Sequence, residues 1–342
     1  MEKIMIPPLD SNAAEVIKNN WAKMDKPLHS LGKLEEMVEK YAAMTGTALP
    51  DKIKSAMLLM CGDHGIAKYG VSAYPQEVTM QMINGYMRET AGAYVMARHA
   101  GADVFVIDAG TAFDLSAMPK VHQEKVAWGT KDFTQGPAMT VEQAEKALKV
   151  GMKVADECID KGYNLLVTAE MGIGNTTSTA AIVSAFLGLP PELTVGRGTG
   201  INDERMAIKR KVVADGLAKN QPRLGDAMDI LCKVGGYDHA GLAGMILAGA
   251  RRRIPTMVDG VNATAAALLA YGLEPACADY MLCSHLSAEI SHAKMLEVLR
   301  LTPIVDAGMR LGEGTGASLA IVILQMAINT YKELYKRGGM HA

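Results

Sequence analysis

The sequence predicts an α/β fold: a parallel sheet with helices on both faces, in a Rossmann-like three-layer arrangement. Two observations carry that expectation. Short apolar runs without alternation end abruptly in glycine or an acidic residue, as strands buried on both faces do. Between them lie stretches with apolar residues at helical spacing, and strand–helix alternation of this kind builds parallel sheets.

The predicted strands are residues 55–63, 103–110, 164–170 and 254–260, with 279–285 and 303–306 as weaker members. Residues 140–159 and 203–218 read as helices between them. Residues 11–45 are also helical in pattern, interrupted at 26–32, and 317–337 reads as one long helix. The two ends are expected to pack together as a small helical domain (1–50 and 317–342) beside a large α/β domain (51–316).

Composition narrows the class. Of 342 residues, 49% are hydrophobic and 21% charged, which fits a folded enzyme with ample core. A net charge of −2 gives no reason to expect nucleic acid or an anionic membrane as partner. The N-terminal Met-Glu-Lys-Ile-Met-Ile-Pro-Pro has no apolar signal region, and no apolar run is long enough to span a bilayer. The five cysteines (Cys61, Cys158, Cys232, Cys277, Cys283) are dispersed with no C-x-x-C pair. That pattern suits a reducing cytoplasm and speaks against a disulfide framework or a zinc site. The 24 methionines read as adaptable core filling.

Ligands of such sheets bind beyond the carboxyl ends of the strands. Those ends carry Asp63-His64-Gly65, Asp108, Glu170, Asp259-Gly260 and His285. Two glutamates stand out because each sits in a glycine cluster. Glu170 lies in Ala169-Glu170-Met171-Gly172-Ile173-Gly174-Asn175-Thr176-Thr177, and Glu313 in Arg310-Leu311-Gly312-Glu313-Gly314-Thr315-Gly316. Glycines admit close backbone approach to a phosphate or sugar, and a helix opening near Asn175 aims free N–H groups at an anion. The alternative for Glu170 is a plain β–α turn with a surface carboxylate. Glu313 precedes the predicted C-terminal helix, whose end favours the ionised form while burial raises the pKa towards a useful base. Its alternative is a first-turn glutamate that only complements the helix dipole.

Asp63 and His64 have no second ligand at metal-binding spacing, so positioning or structure is the expected role; a metal-dependent hydrolase using them is the distant rival. No Gly-x-Ser-x-Gly elbow is present, and Gly196-Arg197-Gly198-Thr199-Gly200 lacks dinucleotide-fingerprint spacing. Lys209, on the helix that follows, could reach a phosphate as a point charge. Arg251-Arg252-Arg253 reads as a solvated helix end.

Taken in order, these motifs resemble the CobT family, the bacterial nicotinate-nucleotide:dimethylbenzimidazole phosphoribosyltransferases. The matching pieces include the segments 25–35 and 62–65, Pro75-Gln76-Glu77-Val78-Thr79, 169–177, Gly198-Thr199-Gly200-Ile201, 233–238, Met257-Val258-Asp259-Gly260, 284–289 and 309–317. They are collinear and span nearly the whole chain.

The resemblance implies transfer of phosphoribose from nicotinate mononucleotide to a cobamide lower-ligand base, with inversion to an α-riboside 5′-phosphate and release of nicotinate. It assigns the base to Glu313 and a positioning or auxiliary role to Glu170. The phosphate is expected on the Gly172–Asn175 backbone and Lys209. Met171, Gly174, Thr176, Asp259, Gly260, Leu311, Gly312 and Gly314 complete the implied substrate contacts. No metal or redox cofactor is implied.

Four positions depart from the family's pattern. Leu28-His29 replaces Pro-Gly in the first motif; Tyr74 stands where the best-known benzimidazole enzyme of the family carries a small serine, and Met82 where it carries glutamine. A tyrosine ring and a thioether shrink and dry the pocket, favouring phenol or p-cresol over a bicyclic base, as in the phenol-activating ArsA-type branch. Family members pair their subunits, so a homodimer or a heterodimer with a homologous subunit is expected. The alternative function is a non-catalytic or weakly active subunit that supports a catalytic partner.

Overall fold

A computed structural model describes residues 4–46 and 52–337 of the chain. The expected domain boundary at 50/51 and the terminal residues 338–342 lie outside the described residues.

The chain opens with α1 (Ser11–Lys23) and α2 (Lys33–Thr45), then enters β1 (Ser55–Gly62). Next come α3 (Val78–Met87), α4 (Gly92–His99), β2 (Ala102–Gly110) and β3 (Val121–Gln123). The middle consists of α5 (Val141–Asp160), β4 (Leu165–Met171), α6 (Asn175–Leu187), α7 (Asp203–Asn220), α8 (Ala227–Val234) and α9 (Tyr237–Arg251). Finally β5 (Thr256–Val258), α10 (Val261–Leu273), β6 (Met281–Cys283) and α11 (His292–Leu299) lead to the long α12 (Thr315–Arg337).

The six strands form one sheet in the order β3-β2-β1-β4-β5-β6, and every pairing is parallel. The order reverses between β1 and β4, which makes their carboxyl ends the topological switch where such sheets bind ligands. All eight residues of β1 and all seven of β4 are buried, as their unbroken apolar runs predict. Both faces are covered. Met57 of β1 lies against Gly314 at the head of α12, whereas Met60, three residues on, lies against Gly241 of α9.

The expected α/β fold is therefore found, with differences at the sheet margins. Residues 254–260 yield only a three-residue β5, because Pro255 cannot donate to the ladder. Residues 303–306 contribute no strand, only an isolated bridge between Val305 and His285. The edge strand β3 has one buried residue in three and so leaves no apolar run to read. At the termini, α1 and α12 meet where the Trp21 and Tyr331 rings pack edge-on at 5.0 Å between centroids, and Asn20 donates to the Tyr331 hydroxyl at 2.8 Å. His29 occupies the left-handed region at φ 57°, where the usual motif glycine carries no steric cost.

Helix α9 is buried from Tyr237 through Ala250 and crosses α5 at backbone contact. A Cβ at Gly151 would lie 1.8 Å from the Gly241 carbonyl oxygen, so only glycine permits the crossing. Gly151→Ala is expected to cost about 1–3 kcal/mol of stability through overpacking, read as a lower denaturant midpoint. An unchanged midpoint would contradict the close crossing.

Candidate active site

A cavity of about 580 Å³ opens at the carboxyl ends of β4 and β5. Glu170 reaches its wall from the end of β4, and Glu313 from the loop that starts α12.

That loop has an unusual backbone. Gly312, Glu313 and Gly314 are consecutive residues at φ 84°, 58° and 77°. A left-handed glutamate costs of order 1 kcal/mol and persists only where its surroundings over-determine it. Here they do. The Glu313 N–H donates to Glu170 Oε1 at 3.3 Å. The Gly314 and Ala317 N–H groups donate to the two Asp259 oxygens at 3.0 and 2.9 Å, so Asp259 satisfies the first turn of α12. Gly312 must be glycine, since a Cβ there would stand 2.6 Å from Glu170 Oε1.

Glu170 and Glu313 are 5% and 8% exposed. Burial, then Asp238, Glu313 and Asp259, push the Glu170 carboxyl well above its ordinary 4.5, opposed by the Glu313 N–H. Burial likewise raises Glu313, partly offset by the Tyr86 hydroxyl, which donates to its Oε2 at 2.9 Å. The remaining Glu170 oxygen accepts from the Asn175 amide.

Of the residues singled out from the sequence, Tyr74, Met82, Met171, Gly172, Asn175, Thr176, Gly260, Leu311 and Gly312 line the cavity with the two glutamates. Tyr74 stands at the mouth, 54% exposed. Four others lie behind the wall rather than on it. Asp259 is spent on the α12 terminus. Gly314 packs against Met57 and Ala169. Gly174 begins α6 at φ 101°.

The fourth, Lys209, is fully buried, its ammonium donating to Thr176 Oγ1 at 2.7 Å and to the Gly196 carbonyl at 3.1 Å. Burial lowers its pKa to about 8, against the opposing pull of Glu289. Its charge therefore reaches the cavity through the Thr176 hydroxyl. The glycine loop also offers fewer free donors than expected, since Ile173 N–H bonds Thr79 Oγ1 and Asn175 N–H bonds the Gly172 carbonyl.

Asp63 is occupied by the Thr79 hydroxyl at 2.7 Å and the Ala112 N–H at 2.9 Å, which fits the structural role expected of it. His64 meets Asp238 and His239 in a buried cluster whose ligand-type atoms lie within 4.8 Å of one another. Asp238 lies 174 positions further along the chain, with His239 next to it, so no local spacing reveals the cluster. Arg251 and Arg252 pair with Asp156 and Asp160 at the end of α9, far from any role in the cavity.

The sequence reading also missed Tyr86, Asn262, Ser287 and Glu289. Tyr86 falls about two helical turns beyond Thr79 on α3, and that periodicity is the one signal pointing at it. Among the described residues, no helix is long and apolar enough to cross a membrane.

Comparison with known proteins agrees with this geometry. A family model described as "Phosphoribosyltransferase" matches residues 6–338. The nicotinate-nucleotide--dimethylbenzimidazole phosphoribosyltransferase of Chloroflexus aggregans is 46% identical over 329 residues, covering 96% of this chain and 93% of that protein. The protein of the same name from Geobacter sulfurreducens is 46% identical over 324 residues, covering 94% and 92%. The crystal structure of CobT from Thermus thermophilus superposes with a TM-score of 0.90 at 40% identity, covering 94% of this chain and 96% of that one. The chain belongs to the CobT family of phosphoribosyltransferases and is a glycosyltransferase-type enzyme.

Proposed function

We propose that this enzyme moves phosphoribose from nicotinate mononucleotide to an aromatic acceptor, with Glu313 as the general base. The observation that carries the reading is a buried carboxylate with a raised pKa on the cavity wall, fixed by its own backbone and by Tyr86. The bond from the anomeric carbon to the nicotinate nitrogen breaks, and nicotinate leaves with the electron pair. The acceptor's nitrogen or oxygen bonds to that carbon from the opposite face, giving an α-riboside 5′-phosphate. Glu313 takes the acceptor's proton. Glu170 acts as a positioning residue, because its oxygens hold the Glu313 N–H and the Asn175 amide.

The cavity has two chemically distinct ends. Tyr74, Val78, Met82 and Leu311 form an apolar end suited to the acceptor ring. Thr176, Gly198, Gly260, Asn262 and Ser287 form a glycine-rich polar end suited to the phosphoribosyl group, with Lys209 behind it. Tyr74 and Met82 support a phenolic acceptor over benzimidazole: a ring stacked on Tyr74 gains about 1 kcal/mol, and a thioether offers a benzimidazole nitrogen no strong hydrogen bond. With phenol, the proton taken is the O–H and the product is an O-glycoside.

On the expected division, α1, α2 and α12 form the small helical unit. The exposed stripe Leu319, Val322 and Met326 on α12 supports pairing with a second subunit, like or homologous. No other reading of the chain is favoured by a particular contact.

Glu313→Gln is expected to lower kcat by about 10²–10⁴-fold while nicotinate mononucleotide still binds, measured by turnover together with calorimetric titration. Near-normal turnover would remove Glu313 from the base role. In a competition between phenol and dimethylbenzimidazole, with riboside phosphates read by mass, the phenolic product is expected to dominate. Exclusive use of dimethylbenzimidazole would refute the phenolic assignment.

A further inference from the structure

Behind the polar end of the cavity lies a buried chain of polar groups that the reaction as described does not use. Asp238 Oδ2 lies 3.2 Å from His64 Nε2, and Asp238 Oδ1 lies 3.1 Å from His239 Nδ1. His239 Nε2 is 2.8 Å from Thr179 Oγ1, and Thr179 Oγ1 donates to Asn262 Oδ1 at 2.8 Å. His64, Asp238 and His239 are each 1% exposed and Thr179 is 2% exposed. Asn262 ends the chain on the cavity wall.

The direction of the two Thr179 bonds follows from proton counting. A threonine hydroxyl carries one hydrogen. Having given it to Asn262, Thr179 accepts from His239, so His239 Nε2 bears a hydrogen. Burial alone would raise the Asp238 carboxyl, yet His239 and His64 hold it far below the usual range. The amide of Asn262 is thereby locked with its oxygen inward, and its NH₂ is the end left to the cavity. A free asparagine amide has no such preference.

We propose that Thr179 and His239, packed against Asp238, are positioning residues that fix the Asn262 NH₂ as a donor to an acceptor oxygen of the phosphoribosyl substrate. This rests on the placement of that substrate at the polar end. Asn262 is placed at that end by the chain, two residues after Gly260. The adjoining Gly260 stands beside Ser287, whose neighbour Glu289 accepts the Gly198 N–H at 2.9 Å, and Gly198 in turn packs on Thr176. Thr199, next to Gly198, accepts the Ala73 N–H at 2.8 Å, and there the polar end meets the segment that carries Tyr74.

The test is a set of variants of the full-length enzyme, each assayed for the KM of nicotinate mononucleotide, the KM of the acceptor, and kcat. Asn262→Asp keeps the inward oxygen but replaces the outward donor by an acceptor, and it alters only a wall residue. It is expected to raise the nucleotide KM by about tenfold or more, with the acceptor KM unchanged. Thr179→Val removes the hydroxyl at constant shape and is expected to raise the same KM by about three- to tenfold. Thr179→Ser is expected to restore it, and Thr179→Val is expected to add nothing in the Asn262→Asp background.

An unchanged nucleotide KM in Asn262→Asp would overturn the placement of the substrate at the polar end, and the inference with it. A raised KM in Asn262→Asp would uphold that placement. The inference alone would then fall if Thr179→Val left the nucleotide KM unchanged, if Thr179→Ser matched Thr179→Val, or if both KM values rose together.

Discussion

The fold is organised around holding two carboxylates, Glu170 and Glu313, side by side out of water. An unpaired buried charge costs several kcal/mol, and the protein answers with aimed donors rather than with a cation. Tyr86 and Asn175 each serve one oxygen, and the backbone of one glutamate serves the other. Asp259, a third acid, accepts from two N–H groups at the head of α12. The compensation is incomplete, and both glutamates keep raised pKa values. A carboxyl group of this kind stabilises the fold most when protonated. That contribution is lost as pH rises from the ordinary 4.5 through the raised folded value. The site is thus less stable in the form that accepts a proton, a common signature of a functional carboxylate.

The same constraint explains the loop geometry. The Gly312–Gly314 turn is left-handed throughout because only that path brings the Glu313 N–H onto Glu170 while delivering the next N–H groups to Asp259. The sheet supplies the frame. β4 and β5 are neighbours, so Glu170 and Asp259 emerge side by side at the carboxyl edge next to the strand-order reversal. Helix α12 then carries the third partner back across the chain from the C-terminal end. A site drawn from three distant segments is rigid because each segment ends a buried element.

Much of this was legible in the sequence where one-dimensional signals exist. The long buried runs of β1, β2 and β4 located the sheet, and glycine clusters located both glutamates. What escaped depends on partners distant in the chain or on depth. Nothing near Asp259 tells whether its carboxylate faces substrate or a helix terminus 55 residues on. Lys209 was expected to reach a phosphate, yet its reach stops at Thr176, because the loop at Gly196–Gly198 wraps its ammonium. Tyr86 looks like any core aromatic on α3 until Glu313 arrives from 227 residues away. The Asp238–His239–Thr179–Asn262 chain joins α9, α6 and α10, and no spacing along the sequence encodes it.

On the reaction proposed above, the raised, Tyr86-bonded carboxylate of Glu313 is the group whose ionisation permits turnover. It is tested most directly by the pH dependence of kcat/KM in the wild type and in Tyr86→Phe. Activity must fall as pH drops through the pKa of a base. An acid limb above the ordinary glutamate value of 4.5 is therefore expected, moving to still higher pH when the Tyr86 hydroxyl is removed. An acid limb at the ordinary value, or one that Tyr86→Phe leaves in place, would contradict it.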